Sequence, residues 1–259
     1  MVEGFTEGSF THDGVTHPVY RRGHGPGVVV IHEIPGIIPE VVRFANLVAE
    51  AGFTVSMPEL FGTAGRPFST PYVMSASLHA CVSREFHVLQ SRGSSPVTDW
   101  LRALCRDLHR ELGGKGVGAI GMCLTGNFAL AMSVDDAMMA PVLSQPSLPF
   151  AIDRGRGAAL HVSDEALVTI KRRCESGELR VLGLRFTCDR AVPKARFDHL
   201  RAELGDAFEA VEIDSSPGNP HGISKKAHSV LTRELVDRQG HPTKQALERV
   251  LSFFRERLG

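Results

Sequence analysis

Ala119-Ile120-Gly121-Met122-Cys123-Leu124-Thr125-Gly126-Asn127-Phe128-Ala129-Leu130-Ala131 carries the strongest structural signal in the chain. A β-prone run over residues 116–120 breaks at a glycine, presents one potentially nucleophilic side chain and passes at once into an apolar, alanine-rich helix. This is the strand–turn–helix order of a nucleophile elbow, with cysteine where serine is more usual. Such a turn lifts the side chain out of a sheet and aims the first helical N–H groups at the same space, where they bind an oxyanion and favour a thiolate. The bland alternative is a cysteine that packs as a small buried hydrophobe.

Outward from this elbow, strands and helices alternate. Residues 8–20 read as two short strands joined at Asp13-Gly14, a hairpin signal. Gly27-Val28-Val29-Val30-Ile31-His32 is a continuous apolar run, as expected of a central strand buried on both faces. Pro39 opens a helix with Val42, Ala45, Leu47, Val48 and Ala49 as its apolar stripe, ending near Gly52, before a strand over 53–57 that Pro58 stops. Residues 58–95 form an irregular excursion punctuated by Gly62, Gly65, Pro67, Pro71 and Gly93, with a short helix expected over 76–89. Further helices are expected over 97–112, 164–174, after Pro193 and over 243–258. Further strands are expected over 137–143, 179–186 and 208–213. The order predicts an α/β fold: a mostly parallel central sheet with helices on both faces. No linker, repeat or charged tail divides it, so one domain over 1–259 is expected.

Composition narrows the class. Lys plus Arg and Asp plus Glu are 29 each, so net charge favours neither nucleic acid nor an anionic membrane surface as partner. No apolar run is long enough for a transmembrane helix, and the N-terminal residues lack the regions of a signal peptide. Cys81, Cys105, Cys123, Cys174 and Cys188 are odd in number with no CxxC spacing, which argues against a zinc site or a disulfide framework and fits a reducing cytoplasm. The expectation is a cytoplasmic protein, a monomer or small homo-oligomer, acting on a small molecule.

A nucleophilic cysteine needs a base, and the base needs a group to fix its tautomer. In a parallel sheet both belong in loops at the carboxyl ends of later strands. Thr187-Cys188-Asp189-Arg190 places Asp189 after one strand, and the turn-rich segment Asp214-Ser215-Ser216-Pro217-Gly218-Asn219-Pro220-His221-Gly222 presents His221 after the next. Asp189 competes with a role as helix cap. His221 competes with His228, which reads as lying on a helix face, and with His199 and His241; position favours His221. In the loop His32-Glu33-Ile34-Pro35-Gly36, the N–H of Ile34 is the candidate partner of the Leu124 N–H in an oxyanion hole. Glu33 is either a solvated loop charge or cap, or a carboxylate beside Cys123 that affects thiol ionisation.

Taken together, Val30-Ile31-His32-Glu33-Ile34-Pro35-Gly36, the segment Ala51 through Gly62, Gly121-Met122-Cys123-Leu124-Thr125-Gly126 and the loops of Asp189 and His221 resemble the dienelactone hydrolase family in order over nearly the whole chain. The resemblance implies an α/β-hydrolase fold and a Cys-His-Asp triad that opens the lactone ring of dienelactone (carboxymethylenebutenolide). It assigns Cys123 as nucleophile, His221 as base, Asp189 as orienting acid and Glu33 as a group that helps activate the thiol. It implies no metal and no organic cofactor. The family holds its substrate carboxylate with arginines; the corresponding candidates are Arg84 in the excursion and Lys225 shortly after His221, a point charge in place of a fork. Thr125 departs from the small glycine that follows the family's elbow, and a β-branched residue there is expected to alter the tightness of the turn. The same residues serve a general carboxylesterase or thioesterase. A redox-responsive or ligand-binding protein, with Cys123 oxidised or merely packed, is the rival from a different class.

Overall fold

In the computed structural model, which describes residues 2–82 and 96–259 (backbone alone for 77–82), eight strands join one sheet in the order β1-β2-β4-β3-β5-β6-β7-β8. β1 (Thr6–His12) and β2 (Val15–Arg22) form the expected antiparallel hairpin, turning at Asp13 and Gly14, both with positive φ. That pair of conformations matches the twist of two right-handed strands and suits an Asp-Gly dipeptide. β2 also runs antiparallel to β4 (Thr54–Pro58). From there the sheet is parallel through β3 (Gly27–Ile31), β5 (Val117–Met122), β6 (Met138–Ser144), β7 (Val181–Phe186) and β8 (Phe208–Ile213).

Burial follows the pattern of the sequence. Every residue of β3, β5 and β7 is buried, as in central strands covered on both faces, with Arg185 of β7 ion-paired to Glu212 at 2.6 Å, whereas β1 is largely exposed. α1 (Pro39–Glu50) starts with proline at its first position and buries Val41, Phe44, Ala45, Val48 and Ala49. Val42 and Leu47, expected in that stripe, are only half-buried, because the buried face is rotated toward Val41 and Phe44. α3 (Pro96–Leu112) buries Val97, Trp100, Leu101, Leu104 and Leu108, a run at helical spacing, and α8 (Pro242–Leu258) buries Ala246, Leu247, Val250 and Phe254. Each valine, leucine or phenylalanine side chain so taken from water is worth about 1.5–3 kcal/mol.

The remaining helices are α2 (Thr70–Val82), α4 (Gly126–Ala131), α5 (Arg154–Ala158), α6 (Asp164–Glu175) and α7 (Lys194–Leu204). α2 begins six residues before the helix expected in the excursion, whose later part lies outside the described residues. α5 is not foreseen by periodicity; Asp153 caps it by accepting from the Arg156 N–H at 2.8 Å. Residues 214–241 contain no helix, which overturns the expectation that His228 lies on a helix face. Among the described residues no helix is long and apolar enough to cross a membrane.

Candidate active site

The carboxyl ends of β3, β5, β6, β7 and β8 open on one edge of the sheet, and the loops that follow them build the site. Cys123 follows directly on β5 and has φ +56°, a left-handed conformation that a non-glycine residue rarely adopts. The turn is held closed by Thr125. Its hydroxyl accepts from the Met122 N–H at 2.9 Å and faces the carbonyls of Met122, Ile31 and His32 at 3.0–3.2 Å. The β-branched residue, expected to alter the tightness of the turn, ties the elbow to the end of β3. Gly121 is needed because a Cβ there would collide with the Thr125 carbonyl oxygen. Gly126 is needed because a Cβ would stand 2.5 Å from the Cα of Pro146.

Asp189 sits after β7, 8% exposed. Its loop is laced to the loop after β8: Thr187 N–H donates to the Ile213 carbonyl at 2.9 Å, Cys188 N–H to the Ser215 hydroxyl at 3.0 Å, and Ser215 N–H to the Thr187 hydroxyl at 3.0 Å. One carboxylate oxygen of Asp189 accepts from Ala191 N–H at 2.9 Å and the other lies 2.6 Å from Nδ1 of His228. It does not cap α7, whose cap position is Pro193.

The histidine that meets Asp189 is His228, not His221. Burial works against its protonation, but the charge of Cys123 opposite, the hydrogen bonds to Asp189 and Cys123 and the charge of Asp189 prevail and hold the imidazolium well above the usual histidine range. His228 thus stands between Asp189, bonded at Nδ1, and the charge of Cys123 that acts on the ring. His221 is exposed on the turn 219–222, its ring packed edge-on to that of His241 at 5.5 Å. His241 caps α8, and His199 lies on α7 with Nδ1 2.8 Å from the Ala158 carbonyl. Residues Ala227, Val230, Leu231 and Leu235 are spaced like a helix stripe and are buried, which is why His228 reads as helical. Instead the Ser229 N–H is taken by the Glu234 carboxylate at 2.8 Å, and side chains satisfy the backbone where a helix would.

Glu33 is buried at the end of β3, 2% exposed. Its carboxylate turns toward the histidine loop rather than the sulfur: it accepts from the Ser229 hydroxyl at 2.7 Å and from the Thr232 hydroxyl, with Gln145 Nε2 at 3.5 Å. In this conformation it anchors the residue next to His228. Ile34 is half-buried in the same loop, and Leu124 is buried directly after the elbow cysteine. Lys225 lies three residues before His228, not after the base, and lines a cavity of about 660 Å³ with Cys188, Asp189, Arg190, Ala191, Pro217 and Lys226 on the flank of the acid. Arg84 lies outside the described residues. Ser147, which sequence gives no reason to single out, puts its hydroxyl 3.4 Å from the Cys123 sulfur. Cys105, Cys123, Cys174 and Cys188 are free thiols, and among the described residues no cluster of three or more His, Cys, Asp or Glu is arranged to hold a metal.

Known proteins share this arrangement of chain. Residues 15–258 match the family model described as "Dienelactone hydrolase family". A stretch of 190 residues, 72% of the chain, is 25% identical to a Saccharomyces cerevisiae protein named "Putative carboxymethylenebutenolidase"; it spans 66% of that protein, just under two thirds of its length. A crystal structure described as "Putative Dienelactone Hydrolase" from Klebsiella pneumoniae subsp. pneumoniae superposes with a TM-score of 0.67 at 18% identity, covering 97% of this chain and 98% of the other. The dienelactone hydrolase from Anabaena variabilis superposes with a TM-score of 0.62 at 14% identity over 99% and 100% of the two chains. At these identities the superpositions speak for the fold.

Proposed function

The chain belongs to the dienelactone hydrolase family, and from that premise we propose that it hydrolyses a lactone or ester by cysteine-based acyl transfer, in the manner of a carboxymethylenebutenolidase. The observation that carries the reading is the His228–Asp189 contact of 2.6 Å beside Cys123.

The Cys123 thiolate attacks the substrate carbonyl carbon. The oxyanion that forms is stabilised by the N–H groups of Leu124 and Ile34, and removal of one such donor costs about a hundredfold in rate. The acyl C–O bond then breaks, and the departing oxygen takes the proton held on Nε2 of the His228 imidazolium, leaving a thioester and an enol or alcohol. Asp189, bound at Nδ1, fixes the tautomer and stabilises the charged ring. Neutral His228 next takes a proton from water, which attacks the thioester; the C–S bond breaks and the acid is released. Glu33 acts through its grip on Ser229, next to the base. Lys225 and Arg84 are the cations offered for an anionic substrate group.

The test is turnover of a panel of lactones, aryl esters and acyl thioesters by the wild type and by Cys123→Ala. The variant should melt as the wild type does and turn over none of the panel. Turnover equal to the wild type by a folded Cys123→Ala protein sinks the mechanism. Preference for thioesters or simple aryl esters over lactones assigns the site to the general esterase or thioesterase reading. Rapid alkylation of Cys123 with no hydrolysis by the wild type assigns it to the redox or binding reading.

A further inference from the structure

We propose that Ser147 is a further catalytic residue: its hydroxyl donates a hydrogen bond to the Cys123 thiolate and restrains that sulfur between two donors, itself and His228. The inference rests on Cys123 being the reacting atom, as proposed above.

Ser147 is 3% exposed and lies in the loop after β6. Its oxygen stands 3.4 Å from the sulfur, and its own N–H donates to the Cys123 carbonyl at 2.9 Å, so the two residues grip each other by backbone and by side chain. A hydroxyl carries one proton and a thiolate none, so with the sulfur charged the serine must be the donor.

The loop around it is held more firmly than a connection requires. Gln145 N–H donates to the Leu184 carbonyl at 2.8 Å, and Asn127 Nδ2 donates to the Leu148 carbonyl. The fully buried guanidinium of Arg196, on α7, donates to the carbonyls of Pro146 and Pro149 at 2.6 Å, Ala159 at 3.0 Å and Arg156 at 3.1 Å. A buried charge spent wholly on backbone carbonyls of residues 146–159 fixes the loop after β6, together with α5, against α7. The bare Gly126 lets Pro146 approach the elbow closely enough for Ser147 to reach the sulfur. Preorganised donors of this kind act without reorganisation cost at the moment of reaction.

Among the described residues, the titratable groups around the sulfur come from three loops. His228 faces it from the loop after β8, with Asp189 behind the ring from the loop after β7. Glu33, from the loop after β3, has its carboxylate turned to Ser229 and Thr232. Among these, Ser147 supplies the uncharged donor. A donor to a thiolate has two opposed effects: it increases the thiolate fraction at a given pH, and it lowers the intrinsic nucleophilicity of that thiolate.

These effects separate in the pH profile of Cys123 alkylation by iodoacetamide, read by mass on the Cys123 peptide. Ser147→Ala should raise the midpoint by about one pH unit, the scale of a lost hydrogen bond to a charged group. It should also speed the high-pH plateau about threefold, from the Brønsted dependence of thiolate reactivity. Ser147→Thr, which keeps the hydroxyl, should hold the wild-type midpoint. A merely structural serine moves neither quantity. An unchanged midpoint and plateau in folded Ser147→Ala, a slower plateau in that variant, or a shifted midpoint in folded Ser147→Thr overturns the proposal. The alkylation profile does not depend on ester turnover. A wild type inactive on every substrate therefore refutes the hydrolase reading and leaves the Ser147 result to stand or fall by its midpoints.

Discussion

His228 and Asp189 meet with Nδ1 and Oδ2 2.6 Å apart, across 39 residues of chain that hold α7, β8 and a long turn-rich connection. The contact exists because the loops after β7 and β8 are bonded to each other through Thr187 and Ser215. It also exists because residues 224–241 fold as successive turns, braced by side chains, rather than as a helix. A histidine on a helix in this position would present its ring according to helix phase. One in a side-chain-braced turn presents it where Glu33, Glu234 and Asp189 hold it.

The two candidate bases are separated by a simple comparison. His228→Ala should lower kcat/KM for the best ester or lactone by about a thousandfold or more, as removal of a triad base does. His221→Ala should stay within about twofold of the wild type, since its ring is exposed and packs edge-on to His241. A large loss in the His221 variant, with His228→Ala still active, reverses the assignment.

Glu33→Ala should act on the base through Ser229. Removing a carboxylate that two buried hydroxyls share leaves those hydroxyls unpaired and costs about 1–3 kcal/mol. Urea unfolding should show that loss. Steady-state kinetics should show kcat falling by more than KM rises, because the imidazole is less well held in the transition state. A variant as stable and as fast as the wild type means that the carboxylate anchors nothing.

Much of this architecture is legible in the amino-acid order, for identifiable reasons. The inner strands are short, mostly apolar runs, and Asp13-Gly14 specifies its hairpin. Cys123 and Asp189 each stand within three residues of a strand end, so the strand order places them on one edge of the sheet. His228 is not legible in the same way. Its loop has helical apolar spacing, which the diversion of the Lys226, Ser229 and Val230 N–H groups to the Ser224, Glu234 and Gln145 side chains interrupts. Ser147, Ser229 and Thr232 are ordinary polar loop residues in sequence; their partners come from other strand ends and exist only once the sheet has assembled.

Thr125 supplies a local test of the elbow. Thr125→Val keeps shape and β-branching but removes the acceptor for the Met122 N–H and the donor toward the carbonyls around it. A buried N–H left unpaired costs about 1–3 kcal/mol, so thermal unfolding should shift downward. Thr125→Ser keeps the hydroxyl and should recover most of the stability. If the valine variant melts with the wild type, the hydroxyl is not what closes the turn.

His32 gives the protein an acid-side weakness whose sign can be worked out. The ring is fully buried at the end of β3, edge-on to Phe61 at 4.5 Å. Nε2 accepts from the Leu60 N–H at 3.0 Å, so Nδ1 carries the hydrogen and donates to the Glu33 carbonyl at 3.1 Å. Burial is the chief reason its pKa is lowered to about 4; the Glu33 carbonyl opposes the shift and the charge of His17 adds to it. An unfolded histidine protonates near 6.5, so between about 6.5 and 4 the unfolded chain binds the proton that the folded chain refuses. Stability is therefore full above 6.5 and falls as pH drops through this window, by about 3 kcal/mol in total at 1.36 kcal/mol per unit. Below about 4 the folded ring protonates too and this source of loss ends. His32→Gln cannot titrate and should lack this component. Urea midpoints for wild type and variant, measured from pH 7 to pH 4, should differ most at pH 7 in favour of the wild type and converge or cross on acidification. Parallel curves across that range mean that some other group carries the acid sensitivity.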